Sequence, residues 1–162
     1  MSDAPLWQPT PEQISATRMH EFQQLAEAKA GRAFADYPDF HRWTWEHNED
    51  FWPLLSRYAD VKVSDWGERV VADPDKLPGA RWFPDAKMNF AENLLRRRDD
   101  APALIFRGED QVKRELGFGE LYDQVANVAA ALRAEGVGIG DRVAGFMPNM
   151  PEAIIAMLAT TS

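Results

Sequence analysis

Residues 149–159 read Asn-Met-Pro-Glu-Ala-Ile-Ile-Ala-Met-Leu-Ala and give the strongest indication of fold class in the chain. The first four residues have the pattern of a capping box, with Asn149 as the cap and Glu152 three positions later, and this pattern predicts the start of a helix. From Ala153 onward the residues are apolar nearly all round, so the helix has to be covered on several sides. Residues 142–147 predict a strand that leads into it. The pair indicates an α/β fold.

The region before this pair continues the alternation of strands and helices. Residues 103–107 predict a strand, residues 108–110 a turn and residues 112–116 a returning strand. A helix follows and is ended by Gly136. Its apolar face at helical spacing consists of Leu121, Val125, Val128, Ala129 and Leu132. A strand–helix–strand–helix order calls for a further parallel strand and covering helices. We therefore expect an incomplete α/β domain, the beginning of a larger one.

The first half of the chain is helical and aromatic instead. All six tryptophans lie at or before Trp82. A capping box at residues 10–13 predicts a first helix that Gly31 ends. Asn48 is expected to cap a later helix, because short polar side chains accept hydrogen bonds from the first turn. The predicted helices are residues 10–31, 39–46, 48–58 and 89–97.

The composition changes near residues 96–102, where Arg-Arg-Arg-Asp-Asp-Ala-Pro interrupts the apolar pattern. We place the domain boundary there. The expected domains are residues 1–98, a helical and irregular N-terminal segment, and residues 99–162, the start of an α/β domain.

Composition excludes several classes of function. The chain has 162 residues with 18 basic and 26 acidic side chains, a net charge of −8, which argues against nonspecific binding to nucleic acid or an anionic membrane. It has no cysteine, so disulfides, thiolate metal sites and a cysteine nucleophile are excluded. The longest apolar run, residues 153–159, is too short to span a bilayer, and the first residues do not have the pattern of a secretory signal. We expect a cytoplasmic protein.

Four segments together carry a resemblance to a known family. They are Pro-Leu-Trp at residues 5–7, Trp-Glu-His-Asn-Glu-Asp-Phe-Trp at residues 45–52, the run from Pro78 to Leu95, and Gly140 to Ala153. The third segment contains Pro-Gly-Ala-Arg-Trp-Phe-Pro and Asn-Phe-Ala-Glu-Asn-Leu-Leu. The chain resembles the N-terminal region of acetoacetyl-CoA synthetases, a branch of the adenylate-forming acyl-CoA synthetases. The likeness runs from about residue 5 to residue 162.

The resemblance implies an acid–thiol ligase that uses ATP, Mg²⁺ and coenzyme A, with acetoacetate as the small-molecule substrate. It also implies that the remainder of the same polypeptide is the main partner of this segment. The Ser/Thr/Gly-rich phosphate loop of the family does not occur in these 162 residues. We therefore assign no catalytic, cofactor-binding or metal-binding residue. We expect the fragment alone to be inactive, to bind none of these molecules tightly and to self-associate through its uncovered apolar helix.

Two alternatives stay open at this point. One is a related acyl-CoA synthetase acting on acetate or propionate, since the acid pocket lies outside this sequence. The other is a stand-alone module whose tryptophan-rich surface binds a protein partner.

The remaining motifs predict ordinary structure. The glycines of residues 136–141 follow a helix and precede a strand, the reverse of a dinucleotide-binding order, and predict a helix stop and turn. The three histidines His20, His41 and His47 fit no zinc spacing. Residues 109–115 predict an exposed hairpin. The arginines of residues 96–98 could reach a phosphate, such as one of coenzyme A, but Asp99 and Asp100 follow at once, and we expect local neutralisation.

A cluster of aromatic side chains is expected to pack together, because rings bury large areas where aliphatic residues are few. Its members are Phe34, Tyr37, Phe40, Trp43, Trp45, Phe51, Trp52 and Trp66. In a longer protein some of them are expected to hold this segment against the main body, and so to be exposed here.

Overall fold

The computed structural model describes residues 5–162, which form two compact units. The first unit comprises residues 5–61 and 65–86, and we call it the aromatic unit after its core. The second comprises residues 62–64 and 87–162, and we call it the aliphatic unit. No helix among the described residues is both long and apolar enough to cross a membrane.

The aromatic unit contains four helices and a pair of two-residue strands. Its helices are α1 (Pro11–Ser15), α2 (Arg18–Ala30), α3 (Tyr37–Glu46) and α4 (Asn48–Tyr58), and its antiparallel strands are β1 (Val71–Ala72) and β2 (Arg81–Trp82).

The single helix predicted for residues 10–31 is two helices. The capping box of Thr10 and Gln13 is confirmed at the start of α1, and Gly31 ends α2 with φ = 69°. Between them Thr17 interrupts the helix: its side-chain oxygen accepts from the backbone N–H of His20 and donates to the carbonyl of Ile14. A threonine that caps a new first turn competes with continuation of the old helix. The local chemistry of one residue therefore divides the segment.

The core of the aromatic unit consists of Phe22, Ala26, Phe34, Phe40 and Trp43. Phe22 contacts Phe40 edge to face, with ring centroids 6.2 Å apart, and such contacts favour a fixed arrangement of rings. The prediction that the aromatic residues pack together is confirmed for Phe34, Phe40 and Trp43, whereas Tyr37 is 61% exposed and Trp45 is 58% exposed. Residues two positions apart on a helix do not share a face, so burial of Trp43 turns Trp45 outward.

The aliphatic unit contains a short helix, a hairpin and two longer helices. These are α5 (Phe90–Leu94), β3 (Pro102–Gly108), β4 (Val112–Gly117), α6 (Phe118–Ala134) and α7 (Pro151–Thr160). The predicted hairpin is confirmed, with Leu104 opposite Leu116 and Phe106 opposite Arg114. The buried core of the aliphatic unit consists of Ala91, Leu95, Leu116, Leu121, Val125, Ala129, Ile155, Leu158 and Ala159.

The strand predicted for residues 142–147 is wrong for this structure. Residues 141–149 form no helix or strand and are exposed. A strand is held by hydrogen bonds to a neighbouring strand, and no second strand pairs with this segment among the described residues. The apolar pattern is therefore present without the partner that would make it a strand.

Two predicted caps are also wrong. Asn149 does not cap α7: the cap position is Met150, and no side chain accepts a hydrogen bond there. Glu152 instead pairs with Arg114 of β4. Asn48 lies inside α4, whose cap position is His47. In the first case, Glu152 pairs with Arg114, which is distant in sequence, and does not complete the capping box.

Helix α5 is shorter than the predicted residues 89–97. Asn89 caps it, with its side-chain oxygen accepting from the backbone N–H of Glu92, and the helix ends before Leu95. Leu95 is buried in the core, and the chain then leaves the helix through the arginine run.

Candidate functional site

The aliphatic unit carries a charged cleft of about 560 Å³ beside α5 and α6. We call it the Arg98 cleft. It is lined by Lys62, Asn89, Glu92, Leu95, Arg96, Arg98, Tyr122 and Ser162. Three of these side chains are cationic and one is acidic, so the lining side chains carry more positive than negative charge on a chain whose net charge is −8.

Asn89, the cap of α5, lines this cleft, and Asn93 of α5 holds the backbone of Lys62, another lining residue. The side-chain oxygen of Asn93 accepts from the backbone N–H of Lys62 at 2.8 Å, and its amide donates to the Lys62 carbonyl at 2.9 Å. The amide of Asn89 donates to the Thr161 carbonyl at 2.9 Å. Asn89 and Asn93 are four positions apart and so lie on one side of the helix. The Asn-x-x-x-Asn motif thus positions two distant backbone segments.

The arginine run departs from its prediction. Arg97 is neutralised as expected, because Asp99 accepts from its Nε at 3.0 Å and its Nη2 at 2.9 Å. Arg98 is not neutralised. Its guanidinium carbon lies 3.3 Å from the ring centroid of Tyr122, and its Nη1 donates to the Arg97 carbonyl at 2.9 Å. Arg96 also lines the cleft. Adjacent arginines therefore have different electrostatic surroundings.

Sequence reasoning missed the contributions of Lys62 and Tyr122. The spacing of Asn89 and Asn93 did indicate that one side of α5 makes polar contacts with another segment of the chain. The sequence around Lys62 does not indicate that Asn93 binds its backbone, because the two residues are 31 positions apart.

A second polar cluster joins the hairpin to α7. Arg114 of β4 donates to Oε1 of Glu152 and, at 3.3 Å, to the side-chain oxygen of Gln124 on α6. The pKa of Glu152 is lowered, first by a hydrogen bond from its own backbone N–H and then by Arg114. A carboxylate in the first turn is also favoured by the helix dipole. Arg114 is half-buried, so the prediction of an exposed hairpin is wrong at this residue.

The outer face of α7 and residues 143–147 enclose an apolar groove of about 550 Å³. The inner face of α7 is buried in the core, while Met157 on the outer face is 43% exposed. The expectation that the helix lies uncovered on one side agrees with this arrangement.

The glycine-rich segment and the histidines have the following positions. Gly136 (φ = 86°) follows α6, and the backbone N–H of Gly138 donates to Asp141 at 2.8 Å, which confirms the predicted helix stop and turn. His20 contacts Gln24, His41 stacks on Tyr37 and His47 stacks on Trp43. Within residues 5–162 there is no group of three or more His, Cys, Asp or Glu side chains that could hold a metal ion.

Comparison with known proteins identifies the class first. Residues 90–162 match the family model of AMP-binding enzymes. This region contains α5, the hairpin, α6 and α7, so the match lies within the aliphatic unit and covers less than half of the chain.

The particular relatives are acetoacetyl-CoA synthetases. The chain is 45% identical over 161 residues to acetoacetyl-coenzyme A synthetase of Rhizobium meliloti, covering 99% of this chain and 25% of that protein. It is 32% identical to acetoacetyl-CoA synthetase of Gallus gallus, and the match covers 100% of this chain and 24% of that protein. A structure of acetoacetyl-CoA synthetase from Streptomyces lividans matches with a TM-score of 0.86 and 41% identity, covering 98% and 25%. The chain is homologous to the N-terminal part of acetoacetyl-CoA synthetases.

The chain spans about a quarter of the length of these relatives. The match includes both units, since it covers nearly all of the 162 residues.

Proposed function

We propose that this chain is the N-terminal quarter of an ATP-dependent acetoacetate–CoA ligase. The observation that carries the proposal is the 45% identity to an acetoacetyl-coenzyme A synthetase over nearly the whole chain, together with the fold match at a TM-score of 0.86. The match extends through the aromatic unit, which lies outside the AMP-binding family model and is therefore the region that supports the acetoacetate branch.

The proposed reaction has two steps. The carboxylate of acetoacetate attacks the α-phosphorus of ATP, forming acetoacetyl-adenylate and releasing pyrophosphate. The thiol of coenzyme A then attacks the acyl carbon, forming acetoacetyl-CoA and releasing AMP. Adenylation is needed because a free carboxylate has no good leaving group. The net reaction consumes acetoacetate, ATP and coenzyme A.

Within this reaction we propose a structural role for the present residues and assign none of them to catalysis. Among the described residues no three His, Cys, Asp or Glu side chains are grouped so as to hold a metal ion, and the sequence has no Ser/Thr/Gly-rich phosphate loop for ATP. The chain supplies the first elements of the AMP-binding domain, held together by the core of α5, α6, α7 and the hairpin.

The test is a substrate panel on the longer protein. It is supplied with ATP, Mg²⁺ and coenzyme A together with acetoacetate, acetate or propionate, and AMP release is measured. We expect coenzyme A-dependent AMP release to be fastest with acetoacetate. Faster turnover of acetate or propionate would move the assignment to another short-chain acyl-CoA synthetase. AMP release by the isolated 162-residue chain would contradict the structural role.

We also propose the domain division at residues 98–99 for the longer protein. Limited proteolysis tests it, because exposed linkers are cut first. Early cleavage within residues 96–102 would support the proposed boundary. Early cleavage only near residues 62–66 and 86–88 would favour the two units of the isolated chain.

For the isolated chain we propose self-association through the apolar groove of α7. Exposed apolar patches promote association. Light scattering coupled to size exclusion should show a concentration-dependent increase in mass that Met157→Lys reduces. A monomer at about 0.5 mM protein would refute this proposal. For the longer protein we propose a cytoplasmic location, where ATP and coenzyme A are available together.

A further inference from the structure

The charge of the Arg98 cleft is the starting observation. Lys62, Arg96 and Arg98 line it, Glu92 is the one acidic side chain among its described lining residues, and in the 162-residue chain Ser162 adds a terminal carboxylate. The chain as a whole carries eight more acidic than basic side chains. A local positive region on an acidic protein is a specific feature, because the overall field repels anions from the rest of the surface.

Arg98 is held in an orientation that leaves donors available. Its guanidinium carbon lies over the Tyr122 ring, 3.3 Å from the ring centroid, and arginine contacts aromatic faces in this way. One of its five N–H donors is used by the Arg97 carbonyl. Among residues 5–162 no carboxylate pairs with it, in contrast to Arg97, which has a bidentate partner in Asp99.

We propose that the Arg98 cleft binds a phosphate group of a small ligand. A phosphate presents several acceptor oxygens and up to two negative charges, which suits a planar guanidinium beside further cations. A ligand with a single carboxylate would accept fewer hydrogen bonds from these cations. The cleft volume of about 560 Å³ lies within the range of about 300–1,000 Å³ that is usual for small-molecule sites. The proposal does not depend on the proposed ligase activity.

The first experiment titrates the 162-residue chain with inorganic phosphate at constant ionic strength and follows NMR shifts of the arginine side chains and of Tyr122. We expect saturable shifts centred on the cleft, with a dissociation constant of about 1–10 mM, a weak affinity typical of a single small anion. The absence of saturable shifts up to about 50 mM phosphate would overturn the proposal.

Three further probes identify the source of the phosphate. AMP tests a 5′-phosphate attached to a nucleoside, and coenzyme A against dephospho-coenzyme A tests a 3′-phosphate. A preference for AMP assigns the site to a nucleotide phosphate, and a preference for coenzyme A over dephospho-coenzyme A assigns it to the 3′-phosphate. Equal affinity of all phosphate-bearing probes assigns the site to the phosphate alone.

Matched variants separate the site from general surface charge. We expect Arg98→Gln to weaken phosphate binding about tenfold, because a charge-assisted hydrogen bond is lost. Arg97→Gln removes the same charge one residue away and should change affinity by about twofold or less, since exposed charges are screened. Glu92→Gln should strengthen binding about two- to threefold by removing a like charge.

Tyr122→Leu provides the second line of evidence, because it keeps every cation and removes the ring that orients Arg98. We expect binding about threefold weaker, with an amide spectrum that remains dispersed. Equal losses in Arg97→Gln and Arg98→Gln would refute a defined site. If Arg98→Gln does not fold, Arg98→Lys replaces it, and unchanged affinity in both Arg98→Lys and Tyr122→Leu would also refute the proposal.

Discussion

The two units of the chain build their buried cores from different kinds of side chain. The aromatic unit has helices of 5 to 13 residues and a core of rings around Phe22, Phe40 and Trp43. The aliphatic unit has a 17-residue helix, α6, whose buried residues Leu121, Val125 and Ala129 recur every four positions. Short helices present few apolar positions, so each must bury a large area, and a ring buries about 150–250 Å². A long helix reaches the same result with smaller residues in a regular stripe.

The largest predicted effects come from the two cores. Trp43→Ala should destabilise the aromatic unit by about 3–5 kcal/mol, and Leu116→Ala should destabilise the aliphatic unit by about 2–5 kcal/mol, because each leaves a cavity among packed neighbours. Trp43 is 3% exposed and Leu116 is 0% exposed. Hydrogen exchange in urea, followed residue by residue, measures each unit separately.

Trp45→Ala is the control for the first substitution, since this exposed tryptophan lies on the same helix and should cost less than about 1 kcal/mol. Equal losses in Trp43→Ala and Trp45→Ala would mean that the ring core does not stabilise the aromatic unit.

Two glycines in left-handed conformation sharpen the comparison. Gly67 of the aromatic unit (φ = 66°) lies where an added Cβ would come within 2.3 Å of the Cβ of Asp85, which is itself paired with Arg69. Gly136 of the aliphatic unit (φ = 86°) has open space around it. Gly136→Ala should cost about 1–2 kcal/mol from backbone conformation alone.

Gly67→Ala should cost at least about 1 kcal/mol more than Gly136→Ala, because it adds a clash to the same conformational penalty. Thermal unfolding of both variants measures the difference. Equal costs would show that the Asp85 backbone moves away easily and that this part of the aromatic unit is loosely packed.

A smaller effect is expected from the helix caps. Asn89→Ala should cost about 1–2 kcal/mol, because Asn89 both caps α5 and donates to the Thr161 carbonyl. Thr10→Ala should cost about 0.5 kcal/mol, since α1 has no buried residue and its cap has only a local role. Urea unfolding compares the two, and a larger cost for Thr10→Ala would reverse the assignment of roles.

The smallest effect is electrostatic and lies in the aromatic unit. Hydrogen bonds from the Arg32 guanidinium and then from the Ala35 backbone N–H lower the pKa of Asp39 from 3.8 to about 2. A carboxyl with a lowered pKa in the folded state stabilises the fold above pH 3.8, and that contribution is lost as the pH falls through about 2.

NMR titration of the Asp39 carboxyl carbon should therefore give a midpoint near 2. Arg32→Gln should raise the pKa of Asp39 toward its usual value, but not fully, because the Ala35 hydrogen bond remains. Since both side chains are near the surface, added salt should reduce the difference. An unchanged midpoint in Arg32→Gln would contradict the assigned cause.

Elements whose determinants lie within a few residues were predicted well. The hairpin, α6 with its stop at Gly136, and the Thr10–Gln13 capping box all depend on local spacing, and the structure confirms them. The acetoacetyl-CoA synthetase resemblance was also visible in the sequence, because its four segments are continuous strings. The Arg98 cleft was not predicted, since it joins Lys62, α5 and Tyr122 of α6 from separate parts of the chain.

The division between an aromatic and an aliphatic half, the positions of most helices and the resemblance to a family follow from the amino-acid sequence, because composition, period and motif are properties of the chain alone. Long-range packing is needed to show that residues 142–147 do not form a strand, that Glu152 pairs with Arg114, and that Arg97 is neutralised while Arg98 is not. A strand, an ion pair and a cleft each require a partner distant in sequence. The identity of that partner is set by packing in three dimensions.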